Sequence, residues 1–331
     1  VDILCPLCAS TRIGLFSAVD AGENCFNDIY RLYSCVDCGL VFTYPVPEDE
    51  KILARYGEDY YSFRSQSLES LAFWKHAARA IATIMRSLRG SGSRYAVLLK
   101  RLLFLFMRNI PQMTPLFFDA SDILDVGCGA GDQMALWQET GLQAWGVDVS
   151  PLAAIEGKKR GLRISTGELK DAGFASGSFD IVYANHVIEH IRDPGATLGE
   201  IRRVLKRGGV LMVGVPNIDS ALFGLLKAKW FHLDVPRHLL HFSPARLAAM
   251  LEEAGFSIQQ SYTITPAGGL FGSLGNLFPR FEIVYRDRRL FVPYIIGYII
   301  LTVLLVPANV GLRGDWLYVI AVKDTQRYRG S

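Results

Sequence analysis

The chain carries no excess of charge of either sign. Its 35 Lys and Arg residues face 32 Asp and Glu, a formal net charge of +3. The basic residues are dispersed rather than massed in one stripe, which argues against a nucleic-acid-binding surface. No cleavable leader is visible at the start, where Val1-Asp2-Ile3-Leu4 has no charged residue of the kind a leader opens with and runs straight into a cysteine pair. Cysteine is scarce, at six residues. Charge is absent altogether from residues 290 to 312, a stretch flanked by Arg286, Arg288, Arg289 and Arg313. Apolar residues, by contrast, make up 50% of the chain, enough for a substantial core. The length of 331 residues suits one large domain, or one domain with a small appendage.

The densest motif is Leu124-Asp125-Val126-Gly127-Cys128-Gly129-Ala130-Gly131, followed by Gly146-Val147-Asp148. An apolar run ends in an acid, a Gly-x-Gly-x-Gly turn follows, and a second short strand ends in another acid. Glycine has no Cβ and tolerates positive φ, so such a turn lets backbone approach a ligand. Asp148 lies about 20 residues past the first glycine, where an acid at the tip of a second strand reaches a ribose diol. The third glycine comes one residue earlier than in a dinucleotide-binding turn, and this spacing with Asp125 before it predicts a nucleoside site. Downstream, Phe179 to Ala184 reads as a buried strand followed by Asn185-His186-Val187-Ile188-Glu189-His190-Ile191. Leu198 to Leu205 reads as an amphipathic helix closed by Lys206-Arg207-Gly208-Gly209, and Val210 to Asn217 as another buried strand.

These motifs resemble the class I S-adenosylmethionine (SAM)-dependent methyltransferases, over residues 122 to about 260 closely and again over 311 to 323. The resemblance implies an α/β, Rossmann-like fold with a seven-stranded sheet. It implies roles by position: Asp125 to orient the methionine ammonium, and Gly127, Cys128, Gly129 and Gly131 to line the turn. Asp148 would take the ribose hydroxyls, with Val149 against adenine. Glu168 and Leu169 would lie near the adenine amine, and Asn185 would border the sulfonium. Cys128 has no basic partner adjacent in sequence, so it reads as a small structural residue rather than a nucleophile.

Two C-x-x-C pairs, Cys5/Cys8 and Cys35/Cys38, suit tetrahedral zinc, each pair offering two thiolates on one tight turn. Two disulfides or free thiols are the alternatives. Disulfides need an oxidising compartment, which a nucleotide-type cofactor and the missing leader argue against. Residues 1–47 are so short that a metal staple is physically reasonable. With Pro45, Pro47, Tyr60 and Tyr61, this opening resembles the zinc-bearing N-terminal part of sugar methyltransferases from antibiotic and surface-polysaccharide pathways. In that family the tyrosine segment helps cover the active site, so Tyr60 and Tyr61 are lid candidates or simple packing residues.

Three residues are base candidates. Glu189 and His190 match the pair that lies near substrate in ubiquinone-type O-methyltransferases. His238, in Val235-Pro236-Arg237-His238, matches a loop whose histidine deprotonates substrate in the sugar methyltransferases, and imidazole suits that task near neutrality. Arg237 replaces the family's Glu and is a candidate holder of a substrate phosphate or carboxylate.

The expected organisation is a zinc module at 1–47, a helical lid or linker at 48–121, and a methyltransferase domain at 122–331 with an apolar helical insertion, 270–312, before the last strand. A helix over Arg94–Asn109 repeats Arg94, Arg101 and Arg108 every seven residues on one face. It reads either as an interfacial membrane helix or as a helix packed on the catalytic domain. The insertion is long enough for a span, but the strands on either side belong to one sheet, so a monotopic or buried hairpin is expected. The resulting reading is a cytoplasmic, membrane-surface methyltransferase for a sugar or lipid-linked saccharide. A quinone or isoprenoid precursor is the alternative acceptor, and a non-enzymatic scaffold the alternative class. The intact glycines and both acids argue against the scaffold.

Overall fold

The computed structural model describes residues 3–17, 30–48, 68–88, 93–277, 309 and 311–324. Three short strands come first: β1 (Ile13–Ser17), β2 (Arg31–Cys35) and β3 (Val41–Tyr44). Helices α1 (Leu68–Ser87) and α2 (Arg94–Met107) follow. An alternating region comprises β4 (Asp122–Val126), α3 (Asp132–Gln138), β5 (Gln143–Asp148), α4 (Pro151–Lys159), β6 (Arg163–Thr166) and β7 (Phe179–Asn185). Then come α5 (Pro194–Val204), β8 (Leu205–Pro216), α6 (Ala221–Leu226), β9 (Leu240–His241) and α7 (Pro244–Glu253). The last are β10 (Phe256–Ile264), α8 (Ala267–Leu277) and β11 (Trp316–Lys323). One sheet has the order β1-β2-β3-β9, and the other β10-β11-β8-β7-β4-β5-β6. The second is the seven-stranded α/β sheet expected from the motifs, with the last strand in the chain between β8 and β10.

Two compact units divide the chain, one of residues 55–184, 199–212 and 322–331, the other of 1–54, 185–198 and 213–321. In the first, β4 runs parallel to both β5 and β7, and β5 parallel to β6. Its strands read as continuous apolar runs because both faces are covered, and Ile123, Leu124, Ile181 and Val182 are fully buried. Lys206 ties two strand starts together, reaching Asp122 at 3.1 Å and Asp180 at 2.8 Å. That contact explains a difference from expectation: Leu205 to Gly209 belong to β8 instead of closing a helix. The preceding helix starts earlier, at Pro194, because Asp193 accepts the Ala196 N–H at 2.9 Å as its cap. Helix α1 buries Ala78, Ile81, Ala82 and Met85, a stripe at helical spacing. Its Lys75 and Arg79 both pair with Glu139 and, with hydrogen bonds as the main cause, hold that carboxyl down at about 2. The N-cap expected at Ser243 is present, its hydroxyl accepting the Arg246 N–H at 3.2 Å.

In the second unit, β1, β2 and β3 pair antiparallel. Strand β3 also pairs with β9, Val41 opposite His241 and Phe42 opposite Leu240. The N-terminal strands have too little surface to form a core alone. Tyr30, Leu32 and Val41 pack instead with Ile218, Phe223, Trp230, Leu233 and Val235. The expected insertion opens with α8, and 278–308, which hold most of the uncharged run, lie outside the described residues. Its return point is fixed: Thr265 donates to the Asn309 side chain at 2.9 Å, and Thr263 to the Asn309 carbonyl at 3.1 Å. Among the described residues no helix is long and apolar enough to cross a membrane.

Candidate active site

The glycine turn between β4 and α3 is closed by an acid. Asp148, at the tip of β5, accepts the Gly129 N–H on one carboxylate oxygen and the Ser150 N–H on the other, both at 2.9 Å. Gly127 donates to the Val147 carbonyl at 2.8 Å. Gly131 has φ +79°, and a Cβ there would sit 2.5 Å from Leu162, so glycine is required on two counts. Gly146 is equally constrained, its missing Cβ making room for the Cys128 and Met134 sulfurs at 2.6 Å. Asp125 is buried at the end of β4. Burial first, and the Asp148 charge second, push its carboxyl well above the ordinary range. Burial also raises Asp148 against its two backbone donors. An ammonium and two ribose hydroxyls are the groups that would relieve such a pair, and each Asp148 oxygen keeps acceptor capacity beyond its one backbone donor.

Cys128 is buried, and burial pushes its thiol up, which fits the structural role expected of it. Val149 is 57% exposed beside Asp148, an apolar surface that a flat base can cover. Gly167 donates to the Asp148 carbonyl at 2.9 Å, which brings the β6 end to this turn. Glu168 follows as an exposed residue paired with Lys170 at 2.7 Å, and Leu169 is buried. The residues of this turn therefore fit a SAM-type nucleoside.

The second group of site residues surrounds Glu189. Five of the six histidines gather here: His186, His190, His232, His238 and His241. Glu189 is 1% exposed, and His186 Nδ1 lies 3.0 Å from its Oε1. Burial pushes this carboxyl up, but the His186 hydrogen bond and the charges of His186, His190 and His238 hold it down at about 2. One polar atom each of Glu189, His190 and His238 lie within 4.8 Å of one another, so the three expected catalytic residues are brought together. His190 Nδ1 donates to the Arg237 carbonyl and His238 Nδ1 to the His232 carbonyl, both at 2.9 Å. Those bonds fix the tautomer and turn each Nε2 into a potential proton acceptor. Burial pushes His238 down to about 4. Asn185, at the end of β7, adjoins this group. Arg237 pairs with Asp234 of its own loop at 2.6 Å. His186, His232 and Trp316 were not anticipated. The signal in the sequence was the His186-x-x-Glu189 spacing, which a left-handed turn at His186 closes.

The four N-terminal cysteines form a third group. Their sulfurs lie within 4.8 Å of one another, with Cys5–Cys38 and Cys8–Cys35 both at 3.6 Å. A disulfide needs about 2.05 Å. Tetrahedral zinc with bonds of about 2.3 Å sets its sulfurs about 3.8 Å apart, so the thiolates fit such an ion. Two turns present them, held by Ala9 N–H to the Cys5 carbonyl and Gly39 N–H to the Cys35 carbonyl. Arg12 and Ser10 both bind Asp37, joining the first turn to the second. Tyr60 and Tyr61, and Cys25, which stands outside both C-x-x-C pairs, lie outside the described residues.

A sheet with parallel β4–β7 and an acid-closed glycine turn is the arrangement of the class I SAM-dependent methyltransferases. The sequence profile of the methyltransferase-domain family matches residues 95–261, half of the chain, and the chain belongs to that family. It is 31% identical over 150 residues to the ubiquinone biosynthesis O-methyltransferase of Xanthomonas oryzae pv. oryzae (strain PXO99A), covering 41% of this chain and 63% of that protein. Against the protein of the same name from Cereibacter sphaeroides it is 29% identical over 153 residues, covering 43% and 62%. The chain thus spans less than two thirds of the length of these curated relatives. Among solved structures it is similar to a SAM-dependent methyltransferase from Archaeoglobus fulgidus, at 18% identity and a TM-score of 0.45, covering 68% of this chain and 94% of that one.

Proposed function

We propose that the protein transfers a methyl group from SAM to a sugar or lipid-linked saccharide at the cytoplasmic surface of a membrane. The observation that carries the reading is the Asp148 carboxylate closing the turn through the Gly129 and Ser150 N–H groups. SAM would be held by Asp125, Gly127, Cys128, Gly129, Gly131, Asp148 and Val149, with Glu168 and Leu169 beside the base and Asn185 toward the sulfonium. The bound sulfonium supplies the activated methyl group; the chain supplies orientation and a proton acceptor. The proton leaves through the imidazoles organised by Glu189, for which His190 and His238 are the sequence's candidates.

Zinc at Cys5, Cys8, Cys35 and Cys38 is read as structural, since all four positions are thiolates and a closed Cys₄ set leaves no open coordination position. The proposed organisation remains a zinc module at 1–47, a helical lid or linker at 48–121, and a catalytic domain at 122–331 carrying the insertion 270–312. Membrane contact is supported by two observations. Helix α2 exposes Tyr95, Leu98, Leu99, Leu102 and Leu105 at one-face spacing in a segment with four basic residues and no acid over 94–108. The insertion leaves after Thr265 and returns at Asn309, whose side chains bond, as a segment entering and leaving on one side requires. The names of the relatives favour the second acceptor, a quinone or isoprenoid precursor.

The test uses the full chain. Calorimetry measures SAM binding, and labelled SAM is then incubated with a membrane-lipid extract. Label in lipid-linked saccharide supports the reading, label in the quinone-precursor fraction selects the second acceptor, and absence of SAM binding overturns both.

A further inference from the structure

Three polar atoms within five residues are buried with no hydrogen-bond partner among the described residues: Asn185 Oδ1, His186 Nε2 and Glu189 Oε2. Buried polar atoms are almost always paired, so three in one strand end and its following turn point to a polar ligand. The backbone is strained to hold them there. His186 has φ +55°, a left-handed conformation costly for a residue with a Cβ. Its N–H is anchored on the Gly214 carbonyl at 2.8 Å. Gly214 must itself be glycine, because a Cβ there would lie 2.3 Å from Asn185 Oδ1. The His186 ring stands edge-on to Trp316 at 4.7 Å. With Nδ1 at 3.0 Å from the Glu189 carboxylate, the ring N–H points to Glu189 and the lone pair sits on Nε2. All three unpartnered atoms are then hydrogen-bond acceptors, and a ligand that satisfies them presents several O–H donors.

We propose that residues 185–189 form the binding site of a polyhydroxylated acceptor, a vicinal diol of a sugar or catechol ring, and that His186 oriented by Glu189 is the base that takes its proton. The proposal rests on the methyltransferase reading and assigns within it a residue and a hydroxyl acceptor. The O–H proton passes to His186 Nε2, the oxygen lone pair forms the new O–CH₃ bond, and the sulfonium C–S bond breaks with its pair remaining on sulfur. The imidazolium is neutralised by Glu189 until its proton returns to water. The arrangement follows the logic of an imidazole oriented by a buried carboxylate, at the carboxyl end of a strand where ligands of α/β sheets bind. The titratable groups facing this ring are Glu189 on its own turn, His232 stacked at 6.5 Å, and His190 and His238 around Glu189.

The experiment takes full-length protein with ¹⁵N-labelled histidine. His186→Gln assigns the His186 signals in long-range ¹H–¹⁵N spectra at pH 8. The expected result is a proton on Nδ1 and a bare Nε2, a preference that Glu189→Gln abolishes. In parallel, S-adenosylhomocysteine release over a membrane-lipid extract is followed against pH. His186→Gln should lower it by about 10²-fold or more at pH 8, recover steeply with rising pH, and leave the SAM Kd within about twofold. A proton on Nε2, or release by His186→Gln near the wild-type rate, overturns the assignment. Loss of SAM binding by the wild type would instead overturn the methyltransferase reading. If the wild type binds SAM but shows no release with this extract, the tautomer spectrum alone decides.

Discussion

Asp148 and His241 show how much a single residue carries here. Asp148→Ala removes the acceptor of two turn N–H groups as well as the proposed ribose contact. SAM affinity should fall by about 1–3 kcal/mol, the usual loss for a charge-assisted hydrogen bond. Calorimetry returning an unchanged Kd would remove Asp148 from the ribose site. His241 is buried with Nε2 3.1 Å from the Thr43 hydroxyl, and burial pushes it down to about 3. The unfolded imidazole titrates near 6.5, so the unfolded chain takes up the proton first as pH falls. His241 therefore costs stability progressively from about pH 6.5 down to 3. His238, pushed down to about 4, acts in the same sense. Asp315, pushed up to about 6 by burial, acts oppositely below that pH. His241→Gln keeps a donor for Thr43 but does not titrate. Its stability relative to wild type should rise between pH 7 and 4.5 in denaturant unfolding, and a constant difference would contradict the sign. The turn and its acids were legible from sequence because glycine and a strand-end carboxylate act locally. His186 was not, since its role depends on Gly214 and Trp316, contacts supplied by other strands.

Among the elements, helices and strands of the sheet were readable from apolar periodicity, with small shifts where a side chain intervened, as Asp193 does at α5. Strand β9 was invisible: two residues carry no period, and only the edge of β3 makes them a strand. The cysteine turns were legible because each is closed within a few residues. Cys5→Ser should leave the chain short of one equivalent of zinc by elemental analysis and should speed hydrogen exchange in β1–β3 more than in β4–β7. Equal zinc content in the variant would remove Cys5 from the ligand set. Helix α2 has its own test. Leu98→Glu with Leu102→Glu replaces exposed side chains, so folding should survive while flotation with anionic vesicles drops, more so as salt screens Arg94 and Arg101. Undiminished flotation would assign the membrane contact elsewhere.

For the whole molecule, the anchoring of Asn309 on Thr263 and Thr265 predicts that the insertion is dispensable for folding. Replacing 278–308 by a short linker should leave the SAM Kd unchanged in calorimetry and reduce methyl transfer to lipid-extract acceptors. Loss of SAM binding would tie the segment to the cofactor site. That the strands on either side of the insertion share one seven-stranded sheet was legible from the family resemblance, but the sharing of a core between residues 30–41 and 218–235 was not, because no local pattern encodes a contact at that separation.

The β3–β9 pairing also orders events in time. Thr43 and His241 meet across 198 residues. At about 5–20 residues per second of synthesis, roughly ten to forty seconds separate the emergence of one from that of the other. Throughout that interval the nascent chain presents four thiols and an unpaired strand edge, a template for misassociation. A metal ion captured early would clamp the two cysteine turns before β9 exists to pair with β3. Zinc supplied during synthesis should then raise the yield of folded chain more than zinc added afterwards, a difference that in vitro translation with and without a chelator would measure.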